Sequence, residues 1–169
     1  MKESNLRVYK LTCEMLVPLA VAEVFAVFED PYNLARITPP GLGFRVTSKD
    51  RVQMRAGAEI EYSIRWMGVS MRWKSLVTDY EPPFSFVDEQ VQGPYRLWRH
   101  RHTFRPSAQG TLVCDLVEYA LPLGLLGQAA NALLVSRQLK QIFAYRQAAL
   151  SKLLGTAATP LQDPVIAAR

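Results

Sequence analysis

The chain has two histidines, and they stand two residues apart in the segment YRLWRHRHTFR, residues 95–105. In an extended strand alternate side chains share a face. Trp98, His100, His102 and Phe104 therefore point one way, and Arg99, Arg101, Thr103 and Arg105 the other. A row of arginines reads as a solvated outer face, so His100 and His102 should point inward or toward the rim of a cavity. Beside a carboxylate, such a pair could be hydrogen-bonded sheet residues, a polar patch that orients a ligand, or an acid–base couple. A metal site would need a third ligand and an open coordination position. Asp88 shares a face with Phe84 and Phe86, and Glu118 shares one with Leu112, Cys114 and Leu116. The other face of that last strand, Val113, Asp115, Val117 and Tyr119, is almost as apolar, and the pattern leaves the choice between the two faces open. His100, His102 and Glu118 are the candidates for acid–base work. No metal site and no cofactor are expected.

Aromatic side chains surround these positions. Tyr62 and Trp66 fall on one face of a strand, Trp73 on the next, then Phe86 and Trp98. Most should fill a core, and some must line any cavity under a curved sheet. The expected ligand-binding set is Tyr62, Trp66, Trp73, Phe86, Asp88, Trp98, His100, His102 and Glu118.

The elements that position these residues follow from periodicity. Residues 7–17 read as a strand ended by Pro18. Val21, Val24, Phe25 and Phe28 have helical spacing, although no Ser, Thr, Asp or Asn caps that start near Ala20. Asp30-Pro31 opens a second short helical turn with Leu34 and Ile37 on one side, and Pro39-Pro40-Gly41 stops it. From Phe44 the period becomes two. Strands are expected over residues 44–49, 58–67, 69–81, 84–91, 95–105 and 111–121, with a hairpin at Met67-Gly68 and breaks at Pro82-Pro83, Gly93-Pro94 and residues 107–110. Residues 125–154 contain no proline and read as one amphipathic helix, about 45 Å long at ~1.5 Å per residue. Residues 155–169 carry two prolines and no clear period, and read as a flexible tail after a single domain over residues 1–154. A mostly antiparallel sheet with one apolar face must cover that face, and the long helix is the obvious cover. The expected architecture is α+β: a curved antiparallel sheet of about seven strands wrapped on a long C-terminal helix, with two short helices after the first strand.

Composition bounds the function. The 169 residues are 49% hydrophobic and 21% charged, which excludes a disordered chain. Twenty basic against 15 acidic side chains give a net charge of +5, which permits anionic partners without requiring them. The arginine face lacks the interleaved aromatics of a nucleic-acid platform, since Trp98 lies on the opposite side, so no nucleic acid is expected. Transient contact with acidic lipid headgroups fits the same face. Cys13 and Cys114 make neither a disulfide framework nor a metal spacing, and read as small buried hydrophobes. The start of the chain lacks the apolar run of a signal peptide. The most apolar stretch, residues 119–135, is broken by Pro122, Gly124, Gly127, Gln128 and Asn131, so no transmembrane segment is expected and the protein reads as cytoplasmic. There is no Ser-His-Asp order, GxSxG, phosphate-binding loop or GxGxxG motif.

Three segments carry a resemblance: VPLAVAEVFAVFEDPYNLARITPP, EPPFSFVDEQVQGPYRLWRHRHTF and GTLVCDLVEYALPLGLLG. With the order of elements, they resemble the START-like or SRPBCC superfamily of helix-grip proteins, and within it a bacterial branch without assigned function. The likeness spans roughly residues 6–152. It implies a deep cavity between sheet and long helix that takes an apolar or amphipathic small molecule, with the loop after the second short helix rimming the mouth. Some members of that superfamily are cyclases or dehydratases and others carry lipids or quinones. Binding or transport of a lipid, quinone or polyketide-like compound is therefore the expected function. A cyclase or dehydratase acting in the same cavity is the alternative, and docking of a partner on the outer face of the long helix is a third reading.

Overall fold

The computed structural model describes residues 6–66, 68–122 and 124–168. Met67, from the expected hairpin, lies outside them. So does the side chain of Trp66.

The first strand, β1 (Tyr9–Val17), is followed by helix α1 (Val21–Glu29) and two 3-10 turns (Pro31–Ala35 and Pro40–Leu42). Six strands come next: β2 (Arg45–Val46), β3 (Glu59–Trp66), β4 (Val69–Glu81), β5 (Ser85–Gln92), β6 (Leu97–Ser107) and β7 (Gly110–Ala120). Helix α2 (Gly124–Ala130) runs through a π turn (Asn131–Val135) into α3 (Ser136–Leu154), and β8 (Thr159–Ala168) closes the chain. One eight-stranded sheet has the order β2-β3-β4-β5-β6-β7-β1-β8, with every neighbouring pair antiparallel. This is the helix-grip architecture that the residue pattern leads one to expect. None of the described helices is long and apolar enough to cross a membrane.

Local chemistry explains the boundaries. Helix α1 starts without a capping side chain on Ala20. The Glu23 carboxylate instead accepts from the Ala20 amide at 3.0 Å, satisfying a donor at the helix start. Gly110 opens β7 where any Cβ would lie 2.1 Å from the Val17 carbonyl oxygen, so only glycine lets β7 pass the end of β1. Strict alternation buries Tyr9, Leu11, Cys13, Met15 and Val17 of β1 against the helices.

Residues 159–168 are a strand and not a flexible tail. β8 pairs with β1 from Leu16↔Thr159 to Tyr9↔Ala168. It protects an edge that would otherwise be open, and its own Pro160 and Pro164 are tolerated because an edge strand is paired on one side only. Gln147 of α3 holds the bulge between them, donating to the carbonyls of Glu14 (3.3 Å) and Gln162 (3.2 Å).

The long helix also departs from expectation. Its inward stripe is Gly127, Asn131, Val135, Leu139, Phe143, Arg146, Gln147 and Leu150. The first five step by four residues, which drifts by about 40° per step from a 3.6-residue turn, and the π turn absorbs part of that drift. Leu126, Leu133 and Leu134 are 50–75% exposed, and Leu125 is 81% exposed.

The interior has two apolar clusters. One gathers Phe25, Phe28, Phe86, Phe104, Val113 and Leu150; the other holds Tyr9, Leu11, Val117, Tyr119, Leu139 and Phe143. Along β6 and β7 a polar layer separates them: His100 and His102 lie between Trp98 and Phe104, and Asp115 between Val113 and Val117.

Candidate functional site

The hairpin joining β6 to β7 sets the site. Ser107 pairs with Gly110, so Ala108 and Gln109 are the two-residue turn. Counting back along the ladder, His102 stands opposite Asp115 and Arg99 opposite Glu118. On the other side of β6, His100 stands opposite Asp88 and His102 opposite Phe86. Four titratable side chains of three adjacent strands thus share the concave face: Asp88, His100, His102 and Asp115.

Asp115 is the centre of this group. Its Oδ1 accepts from His100 Nε2 at 2.8 Å and lies 2.9 Å from His102 Nδ1. The second contact is off the N–H axis, so His102 Nδ1 is close to the carboxylate without an aligned hydrogen bond. Asp115 Oδ2 accepts the Cys13 thiol at 3.7 Å. Asp88 Oδ1 lies 3.5 Å from His102 Nε2 and 4.0 Å from His100 Nδ1. Its Oδ2 accepts the Ser75 hydroxyl at 3.2 Å, and Ser75 in turn accepts Trp73 Nε1 and lies 3.3 Å from the Tyr62 hydroxyl. Phe86 stacks on the His102 ring at 4.2 Å, and the two imidazoles are 3.7 Å apart.

Burial and charge act against each other here. Burial raises the Asp115 carboxyl, but the hydrogen bond from His100 and the close approach of His102 outweigh it and hold the group well below the usual carboxylate range. Asp88 is also lowered: burial opposes ionisation, and His102, His100 and Ser75 overcome it. Burial, and then repulsion from His102, bring His100 down to about 4. Burial also works against a charged His102, yet Asp115 and Asp88 raise it. The two carboxylates thus favour a proton on His102 more than on His100. The neutral His100 donates from Nε2, which leaves Nδ1 a lone pair facing Asp88. Asp88, His100 and His102 also offer one ligand atom each within 4.8 Å of one another. That is a two-histidine, one-carboxylate donor set, and a cation held there would require His102 to be neutral.

These groups line a cavity between the sheet and α3. An inner chamber of about 110 Å³ meets Phe28, Phe86, Asp88, His100 and His102. An outer chamber of about 120 Å³ is bounded by Trp73, Tyr95, Leu139 and Phe143, together with Leu42 and Phe44 of the segment after the second short helix. Leu34, Tyr62, Trp98 and Arg146 belong to both walls.

Of the expected site residues, Tyr62, Trp73, Phe86, Asp88, Trp98, His100 and His102 reach this cavity. Glu118 does not. It faces the other side of the sheet, 3.2 Å from Lys10 and 4.0 Å from Arg99, because β7 turns Asp115 inward. The outer arginines are partnered too, Arg99 with Glu89 at 3.0 Å and Arg101 with Asp79 at 3.9 Å. Trp66 contributes nothing that can be described. Asp115, Ser75 and Arg146 are additions to the expected set. Arg146 was signalled by a lone charge in the apolar stripe Leu139, Phe143, Leu150.

A curved antiparallel sheet gripping one long helix, with a mixed apolar and polar cavity between them, defines a helix-grip ligand-binding domain. Residues 17–147 match the family described as polyketide cyclase / dehydrase and lipid transport, and the chain belongs to that family. Among solved structures it is similar to protein CV1439 from Chromobacterium violaceum, at 14% identity over 88% of this chain and 99% of that one, with a TM-score of 0.67. Protein SA2116 from Staphylococcus aureus is 8% identical over 89% and 96%, with a TM-score of 0.69. The di-domain ARO/CYC StfQ of the steffimycin biosynthetic pathway is 13% identical over 91% of this chain and 55% of that one, with a TM-score of 0.65. At these identities the likeness is one of fold. No curated protein matches the chain.

Proposed function

We propose that the protein binds or carries a hydrophobic small molecule, a lipid, quinone or polyketide-like compound, between the sheet and α3. The observation that carries this reading is the pair of adjacent chambers that share wall residues, with apolar walls and a few convergent polar groups at the inner end. Apolar walls supply affinity and placed polar groups supply orientation. Asp88, His100 and His102 make the inner end polar, and Tyr62, Trp73 and Trp98 line the body of the ligand. The family description and the fold support hydrophobic ligand binding in general. Isothermal titration of 1-decanol into the wild type and into Leu34→Trp tests the reading. Leu34 borders both chambers, so the wild type should bind and the filled variant should not.

A second reading is favoured by one observation. Asp115 backs two imidazoles at 2.8 and 2.9 Å, an orientation suited to proton transfer to and from a bound ligand. In that case the cavity serves a cyclase or dehydratase. His100→Gln and His102→Gln then abolish turnover of a polyketide-like substrate while its binding persists, whereas a carrier shows only weaker binding.

Transient contact with a membrane surface completes the proposal. Leu125, Leu126, Leu133 and Leu134 are exposed on one end of the long helix, and the exposed Arg137 and Lys140 follow within two turns. Apolar side chains beside cations fit the boundary between acyl chains and anionic headgroups.

A further inference from the structure

The strongest unexplained group in the cavity wall is a cation. Arg146 sits on the inward stripe of α3 between Phe143 and Leu150, and only 8% of it is exposed. Its guanidinium lies over the Phe143 ring, 4.7 Å from the centroid. Its Nε has no hydrogen-bond partner, and none of the ion pairs among the described residues involves it. The cavity's own carboxylates are engaged elsewhere. Asp115 is taken by His100 and Cys13 and touched by His102, and Asp88 by Ser75. A buried charge without a counter-ion is costly, and buried structural arginines are paired with carboxylates. This one instead borders both chambers.

We propose that Arg146 is a recognition site for a carboxylate, so that the ligand of this cavity is an apolar monocarboxylic acid. The inference deepens the binding reading above and rests on it. The planar guanidinium fork matches a carboxylate with two parallel hydrogen bonds, which an ammonium cannot reproduce. Phe143 fixes the plane of the fork from one side. The apolar remainder of the acid then lies along Tyr62 and Trp98, which share the wall with Arg146. The role is binding and orientation, and no bond is made or broken.

Titration of decanoate and 1-decanol, matched in chain length, tests this by calorimetry. The wild type should bind the acid about tenfold more tightly than the alcohol, or better, as a charge-assisted pair requires. Arg146→Met should lose the preference and bind acid and alcohol alike. Arg146→Lys should keep part of the preference, because charge remains and the fork is lost. The unliganded Arg146→Met should melt at or above the wild-type temperature, since it replaces an unpaired buried charge by an apolar chain of similar length. Equal binding of the two probes by the wild type overturns the carboxylate site and leaves the cavity reading standing. A preference that survives in Arg146→Met, or a lowered melting temperature of that variant, also overturns it, the latter by giving Arg146 a structural role. Binding of neither probe overturns the cavity reading, and this inference with it.

Discussion

His102 and Asp115 face each other across the β6–β7 ladder, with His102 Nδ1 2.9 Å from Asp115 Oδ1. That same oxygen accepts from His100 at 2.8 Å. One buried carboxylate therefore holds His100 by a hydrogen bond and His102 by charge at close range, and the cavity's polar end depends on it.

Removing the charge of Asp115 should accordingly cost far more than removing the other candidate on β7. Asp115→Asn breaks a buried ionic contact and should destabilise the fold by about 3–5 kcal/mol. Glu118→Gln disrupts a partly exposed contact with Lys10 and Arg99 and should cost about 1 kcal/mol or less. Urea unfolding midpoints of the two variants make the comparison. Equal losses would contradict the placement of Asp115.

The last strand should be needed for more than length. A chain ending at Gly155 uncovers the outer edge of β1 and removes the Gln162 carbonyl that Gln147 donates to and the Ala158 backbone that Ser151 binds. Its melting temperature should fall by at least about 5 °C, the shift that a loss of ~2 kcal/mol produces at this size. Size-exclusion chromatography should show association through the open edge. Unchanged melting and an unchanged monomer fraction would count against a structural role for β8.

Both thiols should resist modification in the native protein. Burial, and then the Asp115 charge, push the Cys13 thiol far up. Burial and Glu14 push Cys114 up to about 11. At pH 8 only about one thousandth of Cys114 is then thiolate, and thiolate is the reactive form. A disulfide reagent such as dithionitrobenzoate should label Cys114 slowly and Cys13 only on unfolding. Rapid labelling of both would show that the cavity floor opens.

The exposed leucines should govern any association with lipid. Leu126→Glu combined with Leu133→Glu should lower cosedimentation with vesicles containing phosphatidylserine about tenfold, and raised salt should weaken the wild-type interaction as well. If the double variant sediments like the wild type, the helix end is not the contact.

The sheet was legible because period-two patterns separated by turn residues leave few alternatives. The elements that failed did so for physical reasons. In β7 both faces are apolar enough to be buried, so alternation alone could not choose between Asp115 and Glu118. The choice was available in the turn: pairing Ser107 with Gly110 across two residues forces His102 onto Asp115. β8 was hidden because its prolines suppress periodicity, although a proline costs little on an edge. Arg146 was passed over because the helix was read for its apolar positions, while the informative residue was the charge among them. The inward stripe of the long helix was not legible because it begins with Gly127 and Asn131, which no apolar pattern marks. Asn131 earns its burial by accepting the Tyr119 hydroxyl at 2.8 Å.

Native mass spectrometry of the protein purified from its own host tests the central claim most directly. The account predicts one apolar small molecule bound per chain, carrying a carboxylate, and its loss when Leu34→Trp fills the space between the chambers. A wild-type protein found only at its bare mass would contradict the claim, as would an adduct that persists unchanged in Leu34→Trp.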